Sequence, residues 1–347
     1  MGEIEQAADG QDEPQSALHI LRVLPIVIVL GLLVHFVLPR IDTIASALTT
    51  LRTMKPWGVV MAFVMEVLSY IANGALLQSI VALMGERISL RRSVAIEVGA
   101  GTVAVVAAGA LGFGASIYRW TRNSGMSQRT AMLASWLPSV FDSITLVLFG
   151  LMSAGALLFH HDLSRTTLIA LVIVVSVLVA IIGTIGVLLA RNEWLIALST
   201  FAARTIQKIK PSVDDVKFVD AAQRAASTWH SLKGGGWIRP GLCSLLVLTF
   251  DFLCLRYSLL AAGQPAKFTV ILAGYGVPLL LGRASFIPGG IAVTEVAMAA
   301  VLSGLGIPAA GAVVAVLVYR LISFWIPALI GIPIAVTLQA TKREARA

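Results

Sequence analysis

Long apolar stretches alternate with short polar loops along most of the chain. A helix needs about 20 mostly apolar residues to cross the hydrocarbon core of a bilayer. Runs of that kind occupy Ile20–Leu38, Trp57–Met84, Thr130–Phe159, Thr167–Ala190, Gly241–Ala261 and Gly311–Leu338. Between them lie two pairs of shorter apolar segments, each interrupted by Gly or Pro: Leu90–Ala107 with Gly109–Trp120, and Phe268–Leu281 with Gly289–Leu305. None of these runs alternates with the period of two that a lipid-facing barrel strand requires. The pattern therefore predicts an all-α polytopic membrane protein. About six full spans plus two re-entrant helical hairpins satisfy the hydropathy, and so do eight complete spans.

The chain also repeats itself. Gly109 through Phe141 overlays Gly290 through Ile322 at a constant offset, bringing Gly125-Met126-Ser127 onto Gly306-Ile307-Pro308. Upstream, with three residues removed, Gly85-Glu86-Arg87 falls on Gly263-Gln264-Pro265. Each repeat, about 57–159 and about 237–339, reads as a span, a broken pair and a long span. If both pairs are re-entrant and the N-terminus is cytoplasmic, the inside segments hold 18 of the 26 Lys and Arg residues, the bias expected of a correct topology. The first hairpin then enters from the cytoplasm and the second from outside. Such inverted repeats commonly place a substrate site between broken helices near the midplane.

Residues 1–19 form an acidic, polar stretch (Glu3, Glu5, Asp12, Glu13) unlike a signal peptide, and are expected to be a disordered cytoplasmic tail before one transmembrane domain, 20–347. The one sizeable polar region, 192–236, carries an apolar stripe and basic residues suited to an amphipathic helical pair on the cytoplasmic membrane surface. Both termini are expected to be cytoplasmic, in the inner or plasma membrane.

Only 13% of the residues are charged, about half the share in a soluble domain, so a water-facing globule is excluded. The formal charge of +8 resides in the loops, where it sets topology and meets lipid headgroups, and nucleic acid is not an expected partner. Cys243 and Cys254 lie eleven residues apart on one predicted helix, too far for a disulfide. No metal-ligand spacing, nucleotide loop or nucleophile elbow is present, and no cofactor is implied.

Ionisable groups inside a span are costly and usually pair or line a cavity. Glu66, Asn73, Glu97, Asp142 and Asp251 are therefore candidate cavity-lining residues. The second hairpin is more specific. Pro288 breaks the incoming segment, Gly289 and Gly290 allow a tight turn, and the helix after them presents free N–H groups to the break, a setting that favours phosphate. Arg283 adds a guanidinium fork. Glu295 either recognises a headgroup or forms an ion pair with Arg320, and the two roles are compatible. The lipid headgroup site is thus expected at Arg283, Pro288, Gly289, Gly290, Glu295 and Arg320.

The run Pro288-Gly289-Gly290-Ile291-Ala292-Val293-Thr294-Glu295, followed by Gly306-Ile307-Pro308 and Tyr319-Arg320 through Trp325-Ile326-Pro327, resembles the lysylphosphatidylglycerol synthase transmembrane-region family. Ala292 stands where the family's pattern has a glycine, and Leu137-Pro138-Ser139 where it tends to carry a Glu-Arg pair. The resemblance implies a flippase-like domain without the aminoacyl-transferring domain, not an enzyme. A phospholipid or lipid-linked substrate is the expected partner, and a homodimer remains open. Two rival readings are a membrane enzyme acting on polyprenyl-phosphate or glycolipid, using Glu97 with Asp142, and a scaffold of an envelope-assembly complex.

Overall fold

A computed structural model describes residues 52–106, 109–158, 236–285 and 287–344, together with residues 176 and 183. The expected tail, the span Ile20–Leu38, nearly all of Thr167–Ala190 and nearly all of the 192–236 insert lie outside the described residues.

The described residues form helices and turns. In chain order they are α1 (Pro56–Leu83), α2 (Leu90–Val106), α3 (Ala110–Asn123), α4 (Gln128–Leu158), α5 (Ile238–Ala261), α6 (Phe268–Ala284), a 3-10 turn (Pro288–Gly290), α7 (Val293–Gly304) and α8 (Ala309–Arg320). A π-helical turn (Leu321–Trp325) then leads into α9 (Ile326–Glu344). Among the described residues, α1, α4, α5 and the continuous α8–α9 rod are long and apolar enough to cross a membrane. Their outward faces expose large apolar side chains, among them Phe63 and Val67 on α1, Leu242 and Leu246 on α5, and Leu329 and Val336 on α9. In water such faces would be aggregation sites, whereas in a bilayer they meet acyl chains. The protein is a multi-pass helical membrane protein.

The first spans of the two repeats run antiparallel against each other. Gly58 lies against Ala261, and Ser69 donates from its hydroxyl to the Val247 carbonyl at 3.0 Å. Residues 69 and 247 are 178 apart, the same offset that carries Gly85 onto Gly263. Equivalent positions thus touch each other, which places a pseudo-twofold axis through this contact.

The turns follow the same symmetry. At one end of the bundle the Glu86 carboxylate accepts from the Ser127 backbone N–H at 2.9 Å and from the Thr130 hydroxyl at 2.6 Å. These bonds hold the Glu86 carboxyl below its ordinary range. At the opposite end the Lys55 N–H bonds the Ala261 carbonyl, and Gly311 packs against Gln264. The turns at Gly85 and Gly125 therefore share one end, and their equivalents at Gly263 and Gly306 share the other.

It follows that α2 and α3 enter and leave at the first end, and α6 and α7 at the second. They are two opposed hairpins, each made of helices shorter than a span. The long closing span of each repeat packs antiparallel on the hairpin of the other. On one side Phe149 and Ser153 of α4 meet Gly276 and Ala273 of α6. On the other, Ala328 and Gly331 of α9 meet Thr102 of α2. Small residues make these contacts possible. A Cβ on Gly276 would lie 2.5 Å from the Phe149 carbonyl oxygen, and one on Gly331 2.7 Å from that of Val98. Helices in lipid associate by such close backbone approach, because apolar burial alone gives no preference over lipid.

Candidate functional site

The tips of the hairpins meet at mid-bundle around a cavity of about 1180 Å³. Gly101, Ala104, Gly109 and Phe113 contribute from the first hairpin, and Gly282, Arg283, Ile287, Gly289 and Gly290 from the second. The spans α1, α4, α5 and α8 close the sides. Both hairpins break on a glycine in the left-handed region, Gly109 at φ 55° and Gly290 at φ 61°, and these are equivalent positions in the repeat.

The second tip is tied down by Arg320, the last residue of α8. Its Nε donates to Glu295 Oε1 at 2.6 Å and its Nη2 to the Gly289 carbonyl at 2.8 Å. The guanidinium carbon lies 4.5 Å from the centre of the Phe324 ring, and the same ring packs on Gly289. Phe324 sits within the π-helical turn, whose extra residue per turn aims the side chains after Arg320 back at the hairpin. Glu295 lies in the first turn of α7, where the helix dipole favours its charge. Under the repeat offset Glu295 corresponds to Gly114 and Arg320 to Ser139. Both partners are replaced together in the first repeat, so no unpaired charge is left there.

A second polar cluster lies in the cavity wall. Asp251 of α5 accepts from the Tyr275 hydroxyl of α6 at 2.6 Å and from the Tyr319 hydroxyl of α8 at 2.9 and 3.0 Å. Tyr275 is held by Phe149 and Phe252, with ring centres 5.8 and 5.5 Å away. Glu66 of α1 lies beside Asp251 and Cys254. Two turns before Asp251 on α5, the Ser244 hydroxyl donates to Asp142 Oδ1 of α4 at 3.0 Å.

Most of the residues expected from the sequence converge here. Glu66, Asn73, Asp142, Asp251, Arg283, Gly289, Gly290 and Arg320 all line the cavity. Two placements differ. Glu97 does not line it; it is buried one turn before Gly101 on the same face of α2. Glu295 does not line it either and acts on it through Arg320. Pro288 starts the 3-10 turn. The carboxylate pair Glu97 and Asp142 is therefore not open together to one space. Tyr275 and Tyr319 were not singled out from the sequence as site residues. Their signal was a phenol in the middle of an otherwise apolar segment, which needs a partner when buried.

Ala292 has φ 69° and ψ −42°, a conformation that strains any residue with a Cβ.

Inverted repeats, opposed hairpins and a charged cavity at their meeting point define a multi-pass helical membrane protein. The chain belongs to the family of the lysylphosphatidylglycerol synthase transmembrane region, whose pattern matches residues 22–331. It is also similar to the UPF0104 membrane protein PH1989 of Pyrococcus horikoshii, at 29% identity over 206 residues. That match covers 55% of this chain and 59% of the relative's length.

Proposed function

We propose that this protein moves an anionic, phosphate-bearing lipid between membrane leaflets, with the headgroup in the central cavity and the acyl chains in the bilayer. The observation that carries the reading is the cavity itself, which is bounded by the tips of two opposed hairpins and faced by the guanidinium groups of Arg283 and Arg320. Arg320 is spoken for by Glu295 and the Gly289 carbonyl and shapes the turn. Arg283, which is exposed toward the cavity, is the cation available to a phosphate. The basic end of the bundle, with Arg87, Arg91, Arg122 and Arg129, faces the cytoplasm in this reading.

Translocation of headgroup-labelled phosphatidylglycerol in liposomes tests the proposal. A charge-assisted bond contributes about 1.5–3 kcal/mol, so Arg283→Ala should slow movement by about tenfold or more. An unchanged rate in Arg283→Ala, or no movement by the wild type, would refute it.

A further inference from the structure

We propose that Glu66 and Asp251 form a proton-binding carboxyl pair in the cavity wall, and that lipid movement is coupled to the proton held there. The coupling rests on the lipid-transport reading above, whereas the proton site does not.

Both Asp251 oxygens already accept from tyrosine hydroxyls, Oδ2 at 2.6 Å from Tyr275 and both from Tyr319. Asp251 is thus surrounded as a carboxylate should be. Glu66 lies beside it across the α1–α5 contact, and both line the same cavity. Glu66 is 5% exposed, and its Oε2 is buried without any hydrogen-bond partner. Two ionised carboxylates in contact have no donor between them and repel. One proton on Glu66 turns the contact into a hydrogen bond to Asp251.

Among the described residues no cation is dedicated to this pair. Facing it are Tyr70 on α1, Cys254 on α5, Tyr275 on α6, and Tyr319 and Arg320 on α8. Arg320 is committed to Glu295 of α7. Glu97 on α2 is a further acid acting on Tyr70, and Asp142 on α4 faces Arg283 on α6. The pair is also asymmetric. Under the repeat offset Asn73 stands in place of Asp251 and Ser244 in place of Glu66, so only one side of the pseudo-twofold axis carries two acids.

Coupling follows from shared space. Glu66 and Asp251 line the same cavity as Arg283 and Arg320. An anionic headgroup there is repelled by an ionised Glu66 and not by a neutral one. Headgroup and proton therefore favour each other's binding, and by linkage each raises the other's affinity by the same factor. In one cycle the Glu66 O–H bond forms with a proton taken from water on one side. It breaks to release that proton to water on the other, and no other bond changes.

Infrared difference spectra of the purified protein in lipid nanodiscs, recorded across pH steps, read the pair directly. We expect a protonated-carboxyl C=O band that shifts on labelling with isotopic glutamic acid, is lost in Glu66→Gln and moves in Asp251→Asn. Absence of the band in the wild type, or a wild-type band that ignores glutamate labelling, overturns the proton site without relying on a variant's folding. In liposomes carrying labelled phosphatidylglycerol, a pH gradient should change the wild-type rate by about fivefold or more. Movement that ignores the gradient overturns the coupling and leaves the lipid reading intact. No movement at all, with the band present, overturns the lipid reading and the coupling but supports the proton site.

Discussion

Arg320 and Glu295 are joined at 2.6 Å across the gap between the end of α8 and the first turn of α7, with side chains only 7% and 16% exposed. Removing one partner of a buried pair leaves the other uncompensated and costs about 3–5 kcal/mol. Arg320→Met alone and Glu295→Gln alone should each lower the unfolding midpoint sharply. The double variant should lose less than the sum, because no stranded charge remains. Thermal unfolding in detergent, run as a double-mutant cycle, checks this; additive losses would mean the pair is not coupled.

Ala292→Gly should stabilise the protein. Relief of a positive φ on alanine is worth roughly 1–2 kcal/mol, and the added freedom of glycine in the unfolded chain takes back about 0.4–1 kcal/mol. A net gain of up to about 1.6 kcal/mol is expected, read as a higher unfolding midpoint.

The equivalent glycines of the two tips should respond differently to alanine. Gly109 has open space where a Cβ would go, so Gly109→Ala meets only the strain of its φ. At Gly290 a Cβ would lie 2.6 Å from Thr294 Oγ1 and 2.9 Å from the Gly282 Cα. Gly290→Ala should therefore be the more destabilising change in the same unfolding measurement, and should disturb headgroup binding as well.

Glu86 predicts a pH dependence outside the membrane. The Ser127 hydroxyl beside it, and bonds from the Thr130 hydroxyl and the Ser127 N–H, hold its folded-state value below the ordinary 4.5. Its contribution is thus fully present above 4.5 and is lost as pH falls through the lowered value. The midpoint difference between wild type and Glu86→Gln should be seen at pH 7 and vanish in acid. A difference that persists at the lowest pH would contradict this origin.

The opposed hairpins predict opposite accessibility. In a background with Cys243 and Cys254 replaced, Arg87→Cys and Lys267→Cys lie at exposed turns at opposite ends of the bundle. A membrane-impermeant thiol reagent added from one side of sealed vesicles should label one and spare the other. Labelling of both from one side would contradict the inverted arrangement.

Much of this architecture was legible in the residue pattern. Run lengths of apolar residues report spans because lipid leaves the backbone no partner but itself. The glycine and proline breaks, the repeat offset and the placement of Lys and Arg together indicated two hairpins of opposite orientation. The structure carries that orientation in the antiparallel contacts at Gly58 with Ala261 and Ser69 with Val247. Charges within spans pointed to the cavity for the same reason, since an unpaired charge in hydrocarbon is expensive.

By itself the sequence determined the helical class, the broken segments and the list of costly polar residues, because these follow from the local solvent and backbone of each segment. Only the tertiary structure decided which of those residues meet. Glu66 reaches Asp251, and Tyr319 reaches the same carboxylate, because α1, α5 and α8 cross at that height. Glu97 misses the cavity by one helical turn. Such pairings depend on the depth and rotation of packed helices, which are set by small residues such as Gly276 and Gly331 admitting a neighbouring backbone.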